Sequence, residues 1–416
     1  MKVLLVNKFL FAKGGDAIST LTTGRILEAH GHEVVFWGMG HPDNPPWPFA
    51  DLFVSHVNYE NAGDPGGKAR TAMNILYSFE ARKKMAALLE KTKPDLVHLN
   101  NFAHQISPSV LDVIKKHGIP AVMTMHDYKM VCPVYTMLCN GRVCEKCQNG
   151  RFYHCGLNRC TKGSLFKSMV NVAEMYLHHR VLHIYDKIDL YVSPSRFLKN
   201  KVEEMGLKGE VVYLPNCVDV SGFVPCFEWQ EKSVVFVGRL SHEKGVGTLI
   251  DAVKNIDGVR LKIIGDGPLK ANLEEKVKNE NIGNVVFLGY RTGQDLHNEI
   301  RNSMFLAIPS EWYENSPRVV IEAFALGKPV VGARIGGIPE LVREWETGLT
   351  HTAGDVDDLR EKIRLMLDNR DKLPEMGKTA RAYVEQELNS ETHYERLMEI
   401  YGLAAKKAGG KGPGSF

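Results

Sequence analysis

The feature that most constrains this chain is a series of short, almost wholly apolar strands alternating with helical stretches, and the series starts twice. The first opens with Lys2-Val-Leu-Leu-Val6 and continues with apolar segments at 33–37, 95–99, 121–125, 190–193 and 211–214. A strand with no polar alternation must be covered on both faces, which is the situation of a parallel sheet flanked by helices. The second series restarts at 234–237. Strands at 261–264, 285–288, 305–308 and 329–332 follow, separated by helices at 248–254, 269–279, 294–301 and 317–326. Two βαβ series of this size predict an α/β protein of two Rossmann-like, doubly wound domains facing one another across a deep cleft. Its 416 residues are enough for both.

The join falls near Pro215-Asn216-Cys217-Val218-Asp219. The expected divisions are a first domain over 1–215, a second over 216–390, a helix over 391–408 returning to the first domain, and a flexible tail at 409–416. Four Pro between 42 and 48 mark 41–67 as loop, helical periodicity resumes over 72–91, and 166–185 reads as one long helix bearing His178, His179 and His183. Hydrophobic residues at 44% and charged residues at 24% exclude a disordered chain. No apolar run approaches the roughly 20 residues of a membrane span. With no leader ahead of the first strand, a cytoplasmic protein is expected.

The net charge of +3 is unevenly spread. Residues 1–216 hold 26 Lys and Arg against 19 Asp and Glu, whereas the remainder holds 26 against 30. A basic first half suits an anionic acceptor or peripheral contact with the inner membrane surface, and no Lys/Arg block is dense enough for nucleic acid. Six of the eight Cys lie within 29 residues, from Cys132 to Cys160, in an insert spanning about 128–163. Cys144-Glu-Lys-Cys147 has the spacing of a zinc knuckle, and Cys155 and Cys160 complete a structural Cys₄ set, with Cys132, Cys139 and His154 as alternative ligands. Disulfides and free thiols are the competing readings. Cys217 and Cys226 read as packing residues.

Three loops at strand ends carry chemistry. Lys13-Gly14-Gly15-Asp16 lies between the first strand and the first helix, where glycines admit a close approach and a helix N-terminus attracts an anion. Gly238-Arg239-Leu240-Ser241-His242-Glu243-Lys244-Gly245 follows the first strand of the second series, and Arg239 and Lys244 suit a diphosphate. The third is Pro309-Ser310-Glu311-Trp312-Tyr313-Glu314-Asn315-Ser316-Pro317-Arg318, running on to Glu322. Ser316 is expected to cap a helix that begins at Pro317, with Glu314 and Glu322 accepting from polyol hydroxyls.

Gly14-Gly15, G-R-x(4)-K-G at 238–245, Gly265-Asp266-Gly267-Pro268 and E-x(7)-E at 314–322, followed by Gly327-Lys-Pro-Val-Val, together resemble glycosyltransferase family 4. Met123-Thr-Met-His126-Asp127, Pro194-Ser195 and Leu214-Pro-Asn216 match its spacing, and the Cys-rich insert resembles a branch seen among glycan-assembly enzymes. One departure is Asn315-Ser316-Pro317-Arg318, where the family is richer in glycine. The resemblance implies a GT-B fold and retaining transfer of a sugar from a UDP- or GDP-type donor to a saccharide or lipid-linked saccharide. It implies no metal in catalysis. Arg239, Lys244, Glu314 and His126 would act at the reacting sugar and diphosphate. Gly14, Gly15, Gly238, Gly265, Asp266, Ser316, Pro317, Arg318 and Glu322 would bind the donor. A sugar-nucleotide-binding module without turnover and a sugar-nucleotide epimerase are the alternatives.

Overall fold

The computed structural model describes residues 1–56, 74–254 and 256–409. The rest of the loop expected to 67, the helix start expected at 72 and the tail beyond 409 therefore lie outside the described residues. Two compact units make up the chain. One contains residues 1–139, 144–214 and 394 onward, and the other contains 140–143 and 215–393.

The first unit is built on β1 (Lys2–Val6), β2 (Glu33–Trp37), β3 (Leu96–Leu99), β4 (Ala121–Thr124), β7 (Leu190–Ser193) and β8 (Val211–Tyr213). They lie in the order β2-β1-β3-β4-β7-β8, and every pairing is parallel. Between β4 and β7 the insert contributes only a two-stranded ribbon, β5 (Leu138–Cys139) with β6 (Arg142–Val143), and short helices. Val3, Leu4, Leu5 and Val6 are all fully buried, as an inner parallel strand requires. The helices start where their sequences offer a cap. Ser78, Ser164 and Ser195 each accept a hydrogen bond from the backbone N–H three residues on, ahead of Phe79–Thr92, Leu165–Tyr176 and Arg196–Glu204.

The single helix expected over 166–185 is broken. After Tyr176 the chain widens into a π turn, Leu177–Val181, and reverses through His183 in a left-handed conformation (φ 47°). Within the π turn His178 is buried, and its Nε2–H donates to the Leu76 carbonyl at 2.7 Å.

The second unit repeats the plan with β9 (Ser233–Val237), β10 (Arg260–Ile264), β11 (Val285–Gly289), β12 (Phe305–Ile308), β13 (Val330–Ala333) and β14 (Gly348–His351), all parallel, in the order β11-β10-β9-β12-β13-β14. Alternate side chains feed two apolar clusters, one on each face. Val234, Phe236, Leu261, Ile263 and Phe305 enter one; Val235, Ile264, Leu306 and Ile308 enter the other. Strand β14 has no apolar run to announce it. It pairs with β13 because Gly348 leaves room that a Cβ would fill, 1.8 Å from the Val330 carbonyl oxygen.

Among the described residues no helix is long and apolar enough to cross a membrane. The last helix, Ser390–Lys407, belongs to the first unit from Tyr394 onward. There the Tyr394 ring stacks on His30 at 3.6 Å, and its hydroxyl meets His32 Nε2 at 2.9 Å. Further along, the Tyr401 hydroxyl bonds His98 Nδ1 at 2.8 Å, while His98 Nε2 bonds Thr124 Oγ1 at 2.7 Å. His98 is thus a buried structural histidine. Tyr401→Phe keeps the ring and removes this hydrogen bond from a buried site, so it should cost about 1–2 kcal/mol. A lowered urea midpoint with an unchanged slope is the expected result.

Candidate functional site

In an open α/β sheet, ligands bind beyond the carboxyl ends of the strands at the point where the strand order reverses. In the second unit that point lies between β9 and β12. The loops leaving these two strands are 238–245 and 309–317, which hold most of the second-unit residues singled out in the sequence.

Glycines let these loops touch. Gly265, at φ 142°, would carry a Cβ 1.9 Å from the Gly238 carbonyl oxygen, so the loops after β9 and β10 meet only because it is glycine. Backbone bonds fix the meeting: Gly238 N–H to Ile264 O at 3.0 Å and Leu240 N–H to Asp266 O at 2.9 Å. Gly245, at φ 66°, does the same against the Pro309 carbonyl, where a Cβ would come within 2.0 Å.

That approach delivers Lys244 to Glu314. Lys244 Nζ lies 2.6 Å from Glu314 Oε1, and the same oxygen accepts from Ser310 Oγ at 2.8 Å. The ammonium also lies 5.2 Å from the centre of the Trp312 ring. Burial alone would push the Glu314 carboxyl up, but Lys244 outweighs it and holds the group below the usual carboxylate range. Glu322 shows the opposite shift. Burial pushes its carboxyl up, and Arg318, with Nε 3.9 Å from Oε1, opposes this only in part.

The capping expected of Ser316 does not form. The helix is Arg318–Ala325, Pro317 occupies the capping position, and no side chain caps the first turn. Instead the Ser316 carbonyl accepts from Asn216 Nδ2 at 3.0 Å, while Arg318 Nη1 donates to the Cys217 carbonyl at 3.2 Å. Arg239 is exposed and makes no ion pair among the described residues. Asp266 is also exposed, and its Oδ1 accepts from the Gly267 N–H at 2.7 Å.

In the first unit the strand order reverses between β1 and β3, and Gly14, Gly15 and His126 follow β1 and β4. Gly14 is extended at the head of the helix Gly15–Ala29, and a Cβ built on Gly15 meets nothing within 4 Å. The helix start is therefore open beside Gly15, whereas a Cβ on Gly14 would come within 3.2 Å of Asp16 Oδ1. His126 Nε2 bonds Asn100 Oδ1 at 2.8 Å, which orients the ring from the end of β3. The sequence did not mark Asn100 as the partner of His126 or Ser310 as the partner of Glu314. Neither carries a signal beyond its position in a loop.

The description Glycosyltransferase Family 4 matches residues 13–221, half of the chain. The chain belongs to glycosyltransferase family 4. Glycosyl transferases group 1 matches residues 227–383 of this family 4 chain. Among curated relatives, it is 28% identical over 315 residues to the sulfoquinovosyl transferase of Arabidopsis thaliana, covering 72% of this chain and 54% of that protein. The chain spans 54% of the length of each of the first two curated relatives it matches. Among solved structures, sucrose-phosphate synthase from Thermosynechococcus elongatus superposes with a TM-score of 0.73 at 20% identity, over 96% of this chain and 98% of that one. The Anabaena protein HepE, solved in complex with UDP-glucose, gives 0.65 at 18% identity, over 96% and 99%. The fold is GT-B.

The expected zinc site is a correction. Among the described residues, no group of three or more His, Cys, Asp or Glu side chains is placed to hold a metal ion, at Cys144, Cys147, Cys155 and Cys160 or with Cys132, Cys139 and His154. All eight Cys are free thiols. The sulfurs contact one another in succession, Cys144 with Cys139, Cys139 with Cys160, and Cys160 with Cys155. Burial keeps the inner ones protonated, pushing Cys132 to about 11 and Cys147 to about 12.

The two glutamates should leave opposite marks on stability. Glu314, with a depressed carboxyl, stabilises the fold above the ordinary glutamate value of about 4.3 and loses that contribution as pH falls through its own lower value. Glu322, with a raised carboxyl, holds its proton more tightly when folded, so its charge costs stability as pH rises past about 4.3. Glu314→Gln should therefore destabilise at pH 7 by about 1–3 kcal/mol, leaving Lys244 without its counter-charge. Glu322→Gln should be neutral or stabilising there. Urea denaturation of both variants at pH 5 and pH 7 gives the comparison.

Proposed function

We propose that this protein transfers a sugar, with retention of configuration, from a nucleoside-diphosphate sugar of UDP or GDP type to a hydroxyl of a saccharide or lipid-linked saccharide. The observation that carries the reading is the cation Lys244 held on a buried carboxylate at the strand-order reversal of the second unit. Membership of a glycosyltransferase family and likeness to a protein solved with UDP-glucose support it.

In this reading the diphosphate lies over the loops after β9 and β12, neutralised by Arg239 and Lys244 and by the open N–H groups of the helix Arg318–Ala325. Glu322 accepts from the ribose hydroxyls and Glu314 from those of the transferred sugar. On the first unit, Gly14 and Gly15 offer N–H groups to the phosphate or acceptor, and His126 lies beside the sugar. The acceptor oxygen forms its bond to the anomeric carbon as that carbon's bond to the diphosphate breaks. The acceptor proton goes to a departing phosphate oxygen on the same face, so no protein base and no metal ion is required. The protein works in the cytoplasm. Its contact with the membrane is peripheral, through the basic first half, where exposed Leu157, Leu165, Phe166 and Met169 lie on two successive helices with Lys167, and Arg159 and Lys162 lie in the turn between them.

Incubation with a panel of nucleotide sugars and glycan acceptors should release nucleoside diphosphate only when both substrates are present, with the donor's anomeric configuration kept in the product by NMR and with EDTA making no difference. Product from donor alone would favour an epimerase, and donor binding without release would favour a binding module. Arg239→Ala and Lys244→Ala should each lower turnover about a hundredfold or more, because roughly 3 kcal/mol of leaving-group stabilisation is at stake.

The Lys244 to Glu314 contact sharpens a further expectation. Removing the carboxylate frees the ammonium for phosphate, so Glu314→Gln should keep or tighten binding of free nucleoside diphosphate while cutting turnover. Glu322→Gln should weaken both donor and diphosphate. Calorimetry with free diphosphate distinguishes the two, and equal losses would overturn this division of roles.

A further inference from the structure

The first unit has a half-open cavity of about 430 Å³ that none of the residues discussed above for sugar transfer lines. Its walls are the segment leading into β7, the turn leading into β8, the insert loop around Asn149, and the π turn. Two of these segments precede the amino ends of strands, whereas Gly14, Gly15 and His126 follow carboxyl ends. Met130 and Val131, from the segment after β4, complete the wall, and Gly14, Gly15 and His126 are not part of it.

It is a built feature. The Asn149 N–H donates to the Met205 carbonyl at 2.8 Å, and Arg180 Nη2 donates to the Asn149 carbonyl at 3.2 Å, pinning the insert across the turn into β8. Asn149 (φ 57°) and His183 (φ 47°) both take left-handed conformations in its wall, and Gly206 (φ 100°) has no room for a Cβ, which would come within 2.9 Å of Asn149 Oδ1. Five-residue π turns such as 177–181 also recur at functional sites.

Two polar groups among the lining residues are left unsatisfied. His179 Nε2 and the Tyr185 hydroxyl are shielded from solvent and have no hydrogen-bond partner among the described residues. Leaving such groups unpaired costs about 1–3 kcal/mol each, so an oxygen-bearing occupant would recover part of that. Burial keeps the Tyr185 hydroxyl protonated, hence a donor, and lowers His179 to about 3, so its ring is neutral near pH 7. Arg180 and Lys208 add positive charge at the rim, while the one lining acid, Asp186, is 3.2 Å from His183. Phe152 and Met205 supply apolar wall. The volume is within the range of small-molecule sites.

We propose that this cavity is a second ligand site, taking a small organic anion whose carboxylate or phosphate oxygens engage Tyr185, His179, Arg180 and Lys208 while its apolar body packs on Phe152 and Met205. It is separate from the donor site assigned to the second unit.

The test uses the full chain with saturating nucleoside diphosphate, and three probes: phenyl phosphate, benzoate and benzyl alcohol. Ligand-observed NMR and calorimetry should find saturable binding of at least one anion with a Kd below about 1 mM, and binding of the neutral alcohol about tenfold weaker. Tyr185→Phe and Lys208→Ala should each weaken the anion about tenfold without changing diphosphate affinity. The proposal is overturned if neither anion binds, if binding is unchanged in both variants, or if the nucleoside diphosphate displaces the probe. Failure of the chain to bind any nucleoside diphosphate would sink the transferase reading instead and leave this site standing.

Discussion

Everything in this molecule follows from strands that must be covered on both faces. A wholly apolar parallel strand cannot turn straight back to its neighbour; the chain has to cross over the sheet, and the crossover supplies the cover. The same geometry sends every strand out at one end, so the loops richest in unusual residues gather there without any further device. In the second unit this brings the segments after β9, β10 and β12 to one place, and backbone contact at Gly265 and Gly245 closes the remaining distance. A methyl group at either position would collide with a carbonyl, so the rigidity of the sheet is passed to the loops through two absent side chains.

The electrostatics of that place are balanced rather than simply positive. A buried carboxylate beside a diphosphate would repel it, and the ammonium of Lys244 on Glu314 removes most of that repulsion. Glu322, half a helix away in sequence, is held differently: its nearest cation is Arg318 at 3.9 Å, and the guanidinium is also engaged by the Cys217 carbonyl. One glutamate is therefore held charged and the other leans toward its proton. Two identical side chains eight residues apart are made chemically distinct by what stands beside them.

The strands were legible because apolar runs such as Phe305–Ile308 leave no alternative partner but a covered sheet. Strand β14 was not, since Gly-Leu-Thr-His has one large apolar residue and owes its place to the space beneath Val330. The break in the helix after Tyr176 was hidden for a similar reason. Spacing alone puts His178 on a helix face, and nothing in it shows that the ring is buried and bonded to the Leu76 carbonyl, a hundred residues earlier. In the site, the spacing of Glu314 and Glu322 was visible, but which of them a lysine would reach depends on how closely two loops approach. In the Cys-rich insert spacing counts candidate ligands only: the sulfurs of Cys139, Cys144, Cys155 and Cys160 do meet in a chain, yet among the described residues no three of them are placed around one metal position.

The last helix has a consequence for how the chain is made. His98 lies at the centre of the first sheet, yet the hydroxyl that satisfies its Nδ1 belongs to Tyr401, 303 residues further on. At typical synthesis rates that partner emerges roughly 15–60 s later. During that interval the nascent first unit has a core with a polar opening in it, and the whole second unit must be translated before it closes. Ribosome-bound intermediates of this chain are therefore a natural substrate for chaperones, and the first unit closes this opening only once Tyr401 has been made.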